Sequence, residues 1–233
     1  MKLSTIGFDA DDTLWQNEQF FRLTQKRFAE LLADFTDPET LMARLLAAEE
    51  RNLGQYGFGI KGFVLSMIET AIEVTDHKVD ARVIAELIAA GQDMLSHPIE
   101  LLPHAQAALN ELAGSYRIVL ITKGDLLDQE RKLAQSGLGD LFDAVEIVSD
   151  KTPETYHEAF RHQGADARAA MMVGNSLRSD VLPALQAGAW AVHVPHDLTW
   201  VHEQADIPLG QDRFYELTDL GALPALVGTL NHS

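Results

Sequence analysis

The chain has 233 residues, 46% hydrophobic and 23% charged, an ordinary balance for a globular protein and enough length for one large domain or two smaller ones. Eighteen basic against 35 acidic residues leave a net charge of −17, which argues against a general binder of nucleic acid or anionic membranes while still allowing a small anionic substrate. There is no cysteine, so disulfides, thiolate catalysis and Cys-ligated zinc are excluded.

The chain opens on an apolar strand, Ser4 to Phe8, which runs into Asp9-Ala10-Asp11-Asp12-Thr13. Asp9 and Asp11 are forced together where that strand ends. Like charges so close are costly unless a cation or a proton lies between them. Mg²⁺ fits, because it takes one or two hard carboxylates plus phosphate oxygens and water. A strand followed by an Asp-rich turn, with Asp12 or Thr13 as a helix N-cap, would give the same local run.

From Leu14 to about His97 the pattern is almost continuously helical. Phe20, Phe21, Phe28, Leu31 and Leu32 recur at helical spacing, then Leu41, Leu45 and Leu46, then Val64, Leu65, Ile68 and Ile72, then Val83, Ile84, Leu87 and Ile88. Asp37-Pro38 reads as an N-cap with Pro at the first helical position, and Gly54, Gly57, Gly59 and Gly62 break the helices. Beyond Pro98 and Pro103 the pattern changes. A helix, His104 to Ala113, precedes a strand, Tyr116 to Thr122. Then follow a helix from Leu126 to Ser136, a strand from Ala144 to Val148, a helix from Pro153 to His162 and a strand from Ala170 to Val173. Asp180 to Ala187 reads as a helix, Trp190 to Val194 as a strand, and Leu217 to Leu226 as a final helix. Alternating strands and helices with short links predict βαβ units.

The expected fold is therefore α/β: a Rossmann-like parallel sheet sandwiched by helices, with an all-helical insert after the first strand. The expected division is a core of residues 1–14 and 98–233 and a helical cap of residues 15–97. An insert at that point lies over the ligand crevice of an open sheet and would act as a lid. No apolar run approaches the roughly 20 residues that span a bilayer. No basic segment followed by an apolar stretch opens the chain, so a cytoplasmic protein is expected, as a monomer or homodimer.

Four short motifs stand at or just beyond predicted strand ends. They are Asp9 to Thr13; Thr122 followed by Lys123-Gly124; Lys151 ahead of Pro153; and Gly174-Asn175-Ser176-Leu177-Arg178-Ser179-Asp180. In a parallel sheet these ends converge. Carboxylates, a hydroxyl, an ammonium, an amide and glycine-flanked N–H groups suit phosphoryl transfer, in which a carboxylate attacks and a cation offsets charge.

The four motifs, in order and spacing and over nearly the whole chain, resemble those of the haloacid dehalogenase superfamily of hydrolases, and the helical insert resembles its C1-type cap. The resemblance implies a Mg²⁺-dependent phosphatase acting on a small phosphorylated metabolite. It implies Asp9 as nucleophile, forming an aspartyl-phosphate, and Asp11 as the acid/base. Thr122, Lys123 and Gly124 would hold substrate, and Lys151 would orient Asp9 and offset charge on the phosphoryl group. Mg²⁺ would be held by Asp9, the carbonyl of Asp11, Asn175 and Asp180. Two positions depart from the family pattern. Asn175 stands where an Asp is usual, which removes a negative charge from the metal site, and Lys123 stands where Asn is commoner. A 2-haloacid dehalogenase, a phosphosugar mutase and a non-catalytic binding module are the alternatives; dehalogenases of this superfamily lack the second Asp of the first motif.

Among the remaining polar residues, His193, His196 and His202 show no metal-binding spacing and are expected at the surface or crevice rim. Arg51, Tyr56 and Lys61, around the glycine-rich run of the cap, either touch substrate or belong to a plain interhelical loop.

Overall fold

A computed structural model describes residues 2–232. These residues separate into two compact units, one comprising the chain up to Glu18 with Ile99–Lys123 and everything from Gln129 onward, the other Gln19–Pro98 with Gly124–Asp128.

The first unit is built on six parallel strands: β1 (Thr5–Phe8), β2 (Arg117–Lys123), β3 (Ala144–Val148), β4 (Ala170–Gly174), β5 (Trp190–His193) and β6 (Phe214–Glu216). Their order is β3-β2-β1-β4-β5-β6, so this is an α/β fold of Rossmann-like type. Ile6 pairs in register with Ile118 on one side and Met171 on the other. Side chains alternate between the two faces of a strand, and both faces here are covered, so the central strands are apolar throughout. Ile6, Phe8, Ile118, Leu120, Met171 and Val173 pack on one face with helices α5 (Ala105–Leu112) and α9 (Leu223–His232). Val119, Ile121, Ala170 and Met172 pack on the other with α7 (Pro153–His162) and α8 (Leu182–Gln186). The helix α6 (Leu126–Ser136) follows β2.

The chain leaves β1 toward β2 and β3, then returns to β4 on the opposite side of β1. That reversal makes the crevice at the carboxyl ends of β1 and β4 the ligand-binding position of such a sheet.

The second unit is helical. It holds α1 (Glu18–Leu31, from its second residue), α2 (Pro38–Tyr56), α3 (Ile60–Val74) and α4 (Ala81–Ser96). Asp37 caps α2 by accepting from the Thr40 N–H, with Pro38 in the first turn. Gly57 and Gly59, at φ 70° and 113°, adopt the left-handed backbone that separates α2 from α3. Phe28, Leu32, Leu41, Leu45, Phe63, Met67 and Leu87 form the core of this unit.

Three elements differ from the sequence reading. The predicted helix at Asp180 begins instead as one π turn, Leu177–Val181, closed by a bond from the Val181 N–H to the Ser176 carbonyl at 3.1 Å, before α8 continues. The strand β6 has three residues, too short to show a periodicity. The last helix starts at Leu223 rather than Leu217, because Leu217 is tied to the sheet edge by its N–H bond to the His193 carbonyl.

Gly7 sits where three side chains converge on the central strand. A Cβ there would lie 2.9 Å from Ile121 Cδ1, 3.2 Å from Met172 Sδ and 3.3 Å from Phe160 Cε1. Gly7→Ala is expected to destabilise the chain by about 1–3 kcal/mol through overpacking, read as a lower melting temperature of the intact protein.

Candidate active site

Asp9 follows β1 directly, and its N–H donates to the Val173 carbonyl at 2.9 Å, extending the pairing with β4. Lys151 Nζ donates to Asp9 Oδ1 and, at 2.7 Å, to Asp180 Oδ1. The side chains of Lys151 and Asp180 are 2% and 1% exposed. One ammonium therefore serves two buried carboxylates and leaves one negative charge over. Burial, and next the Asp180 charge, push Asp9 up to about 7 against the pull of Lys151. Burial alone would lower Lys151, but Asp180 and Asp9 outweigh it and hold the ammonium charged.

The fourth motif is folded around this cluster. Asp180 Oδ2 accepts from the Ser176 N–H at 2.9 Å, so both oxygens of the carboxylate are engaged. A Cβ on Gly174 would fall 2.2 Å from Asp180 Oδ2, so only glycine allows this approach. Tyr156 donates its hydroxyl to the Ser179 carbonyl at 2.8 Å and braces the π turn.

Asn175 lies against Thr13 and the first motif. Its N–H donates to Thr13 Oγ1 at 3.0 Å. The end of its amide faces Asp9 Oδ2 at 3.2 Å, Thr13 Oγ1 at 3.1 Å and the Asp11 carbonyl at 3.2 Å, and all three are satisfied when Nδ2 is turned to them. The amide oxygen can face Asp9 Oδ2 and the Asp11 carbonyl only with a cation among them.

That set is compatible with Mg²⁺. Adjacent oxygens around an octahedral Mg²⁺ with bonds of about 2.1 Å are separated by about 3 Å. The amide end of Asn175 stands close to that separation from both Asp9 Oδ2 and the Asp11 carbonyl. Among the described residues, three or more His, Asp or Glu side chains do not gather into a metal cage. The donors here are of mixed type: a carboxylate, a main-chain carbonyl and an amide.

The Asp11 carboxylate is directed elsewhere. It accepts from Trp15 Nε1 at 2.8 Å, Gln129 Nε2 at 2.8 Å and Lys132 Nζ at 2.9 and 3.1 Å. Burial pushes Asp11 up, but the Lys132 ammonium and these hydrogen bonds outweigh it and hold the carboxyl below its usual range. Trp15, Gln129 and Lys132 are contacts that the sequence reading missed. The two α6 residues lie 118 and 121 positions from Asp11, and no local pattern joins them. Asp12, at φ 59°, accepts from the N–H groups of Asn17 and Glu18 and anchors the start of α1. The Asp-rich turn thus provides a helix anchor beside a charged cluster.

Thr122 is buried at the end of β2. Lys123 Nζ donates to Glu203 Oε1 at 2.5 Å and Ser179 Oγ at 2.8 Å. Gly124 follows at φ 134°. His193 bridges Glu216 Oε2 at 3.0 Å and the Asn175 carbonyl at 3.1 Å, which places it behind the fourth motif rather than at the surface. His196 Nε2 lies 3.1 Å from Gln16 Oε1. In the helical unit, Arg51 and Tyr56 bond to Glu69, Arg51 also to Glu73, and Lys61 to Asp125.

Residues 3–188 match the model of the haloacid dehalogenase-like hydrolases, and the chain belongs to that family. It is similar to a haloacid dehalogenase-like family hydrolase from Xanthomonas campestris of known structure, with 41% identity, a TM-score of 0.88, and coverage of 99% of this chain and 92% of that one. A glyceraldehyde 3-phosphate phosphatase from Methanothermobacter thermautotrophicus is 28% identical, over 84% of this chain and 88% of its own length. An N-acylneuraminate-9-phosphatase from Mus musculus is 27% identical, over 70% of this chain and 66% of its own length.

The hold on Asp11 has a measurable sign. Its folded pKa lies below the unfolded one, so the stabilisation is present above the unfolded value and is lost as pH falls through the folded value. Lys132→Met leaves burial less opposed. The Asp11 carboxyl ¹³C titration is expected to move upward in the variant, and an unchanged titration would refute the role given to Lys132.

Proposed function

We propose that this chain is a Mg²⁺-dependent phosphatase that hydrolyses a small phosphomonoester through an aspartyl-phosphate. The observation that carries this reading is Asp9 itself. It is a buried carboxylate at the carboxyl end of the central strand, oriented by Lys151 and followed two residues on by a second carboxylate, Asp11. The phosphatase names of the curated relatives support the reaction class.

In this reading the ionised Asp9 attacks phosphorus through one carboxylate oxygen, forming an acyl-phosphate bond while the ester P–O bond breaks. The departing alkoxide takes a proton from Asp11. Water then attacks phosphorus as Asp11 takes the water's proton, and inorganic phosphate leaves with Asp9 restored. A bound Mg²⁺, held by Asp9, the Asp11 carbonyl and the Asn175 amide oxygen, supplies charge neutralisation at the phosphoryl oxygens. A cation beside Asp9 also favours its ionised form, counteracting the burial that raises it to about 7. Lys151 limits the rotation of Asp9 and offsets charge on the phosphoryl group. Asp180 orients Lys151 through their direct bond and extends the same hydrogen-bond chain to the Ser176 N–H.

Asp11 has to become protonated to act as an acid, and its bonds to Lys132, Gln129 and Trp15 favour the carboxylate. Its turn as acid therefore requires the carboxylate to leave those partners. As a carboxylate it is in the form that a base requires.

One observation favours a second reading, 2-haloacid dehalogenation. The Nδ2 of Asn175 satisfies Asp9 Oδ2 and the Asp11 carbonyl without any cation. In that reaction Asp9 attacks carbon and displaces halide, and no leaving oxygen requires a proton.

The deciding experiment compares phosphate release from a phosphomonoester panel with added Mg²⁺ against halide release from 2-chloropropionate without it. Phosphate release supports the proposal, while halide release alone overturns it. Asp9→Asn is expected to lower turnover about a thousandfold or more. Asn175→Asp adds a charged ligand and is expected to tighten Mg²⁺ about tenfold by calorimetric titration, because ligand charge sets affinity at such sites.

A further inference from the structure

The Lys123–Glu203 pair is not used by the chemistry above. Lys123 ends β2, and its ammonium reaches Ser179 Oγ at 2.8 Å on the π turn that follows β4. Since β2 and β4 flank β1, this side chain crosses the carboxyl end of β1, where Asp9 stands. Its other partner is Glu203 Oε1 at 2.5 Å, on the short turn Val201–Glu203 beyond β5. Glu203 Oε2 accepts from the Ser176 hydroxyl, and the Ser176 hydroxyl in turn accepts from the Ser179 N–H at 2.9 Å. The side chains of Lys123 and Glu203 are only 15% and 13% exposed. Burial pushes Glu203 up, but the Lys123 ammonium and the two serine hydroxyls outweigh it and keep the group ionised.

The Glu203 carboxylate is thus an anion held by an ammonium and a serine hydroxyl. That donor set would serve equally for a carboxylate carried by a substrate. The chain fills it with its own residue. The other two ammonium groups of this site are engaged as well, Lys151 by Asp9 and Asp180, and Lys132 by Asp11. A ligand that brought a second negative charge into this crevice would have to displace Glu203 from a buried ion pair or stand beside it. Either alternative disfavours that ligand relative to an uncharged one, which is selection by repulsion.

We propose that Glu203 is a specificity-determining residue that occupies the anion position formed by Lys123 and Ser176, and so restricts the site to phosphomonoesters whose alcohol portion carries no second negative charge. This rests on the phosphatase reading and names its substrate class: neutral polyol or similar alcohol phosphates, as opposed to phosphorylated hydroxy acids.

The test uses two esters of one carbon skeleton, glycerol 3-phosphate and 3-phosphoglycerate, which differ in a hydroxymethyl against a carboxylate. The intact wild type is expected to prefer glycerol 3-phosphate by at least about tenfold in kcat/KM. Glu203→Gln is expected to narrow that preference by about tenfold through a lower KM for 3-phosphoglycerate, with kcat for glycerol 3-phosphate within about threefold of wild type. Glu203→Asp is expected to restore the preference, and Lys123→Met added to Glu203→Gln to remove the gain. Equal kcat/KM for both esters in the wild type, or the same factor for both in Glu203→Gln, overturns the proposal. Thermal shift with two non-hydrolysable phosphonates, 3-hydroxypropylphosphonate and 3-phosphonopropionate, gives a readout free of turnover. The wild type is expected to be stabilised by the first alone and Glu203→Gln by both. If no ester of any kind releases phosphate, the phosphatase reading falls, and the phosphonate pair still decides whether Glu203 excludes a second anion: stabilisation of the wild type by 3-phosphonopropionate, or of neither protein by it, overturns the inference.

Discussion

The bond from Lys151 to both Asp9 and Asp180 is the interaction on which the rest of the site depends. Two carboxylates cannot be stripped of water side by side without a compensating cation. One ammonium, itself buried, compensates them in part. Burial first, and then the uncompensated Asp180 charge, raises Asp9, and the shortfall of one positive charge makes the position attractive to a further cation. A local need for positive charge beside a carboxylate is also what a transferring phosphoryl group creates. In the proposed reaction, the electrostatic strain of the resting site and its chemical use therefore share one cause.

The surrounding backbone is arranged to permit that bond. Gly174 lets the Asp180 carboxylate approach the end of β4 closely. The π turn carries Ser179 and Asp180 and is capped by Ser176, with Tyr156 bracing it and His193 bonded to the carbonyl of Asn175. Asp12, in a left-handed conformation, turns the chain from β1 into α1 and binds the two N–H groups at that helix start. Each device places a charge by means of the main chain and reduces the freedom a side chain must lose when it forms its bond.

Much of the fold could be read from residue order because its causes are local. Short continuous apolar runs mark β2 and β4, Asp37-Pro38 marks the start of α2, and the glycines at 57 and 59 mark its end. β6 is not legible because three residues carry no measurable period, and the π turn is not because only the folded backbone shows that the Val181 N–H bonds the Ser176 carbonyl. Within the site, Asp9, Lys151, Asn175 and Asp180 stand out as strand-end polar residues, and the structure does gather them. Lys123 stood out too, but its partner Glu203 lies on an irregular segment with no signal of its own.

The sequence by itself determined which groups stand at the strand ends, because strand period, turn chemistry and glycine placement act over a few residues. The tertiary structure alone decided which of those groups share a proton, a cation or a hydrogen bond. Asp9 and Asp11 are two residues apart, yet one faces Lys151 and the other faces Trp15, Gln129 and Lys132. Neighbouring side chains at a strand end diverge, and the ammonium groups they meet, Lys151 and Lys132, lie 142 and 121 residues away, so charge compensation becomes visible only once the fold has brought those segments together.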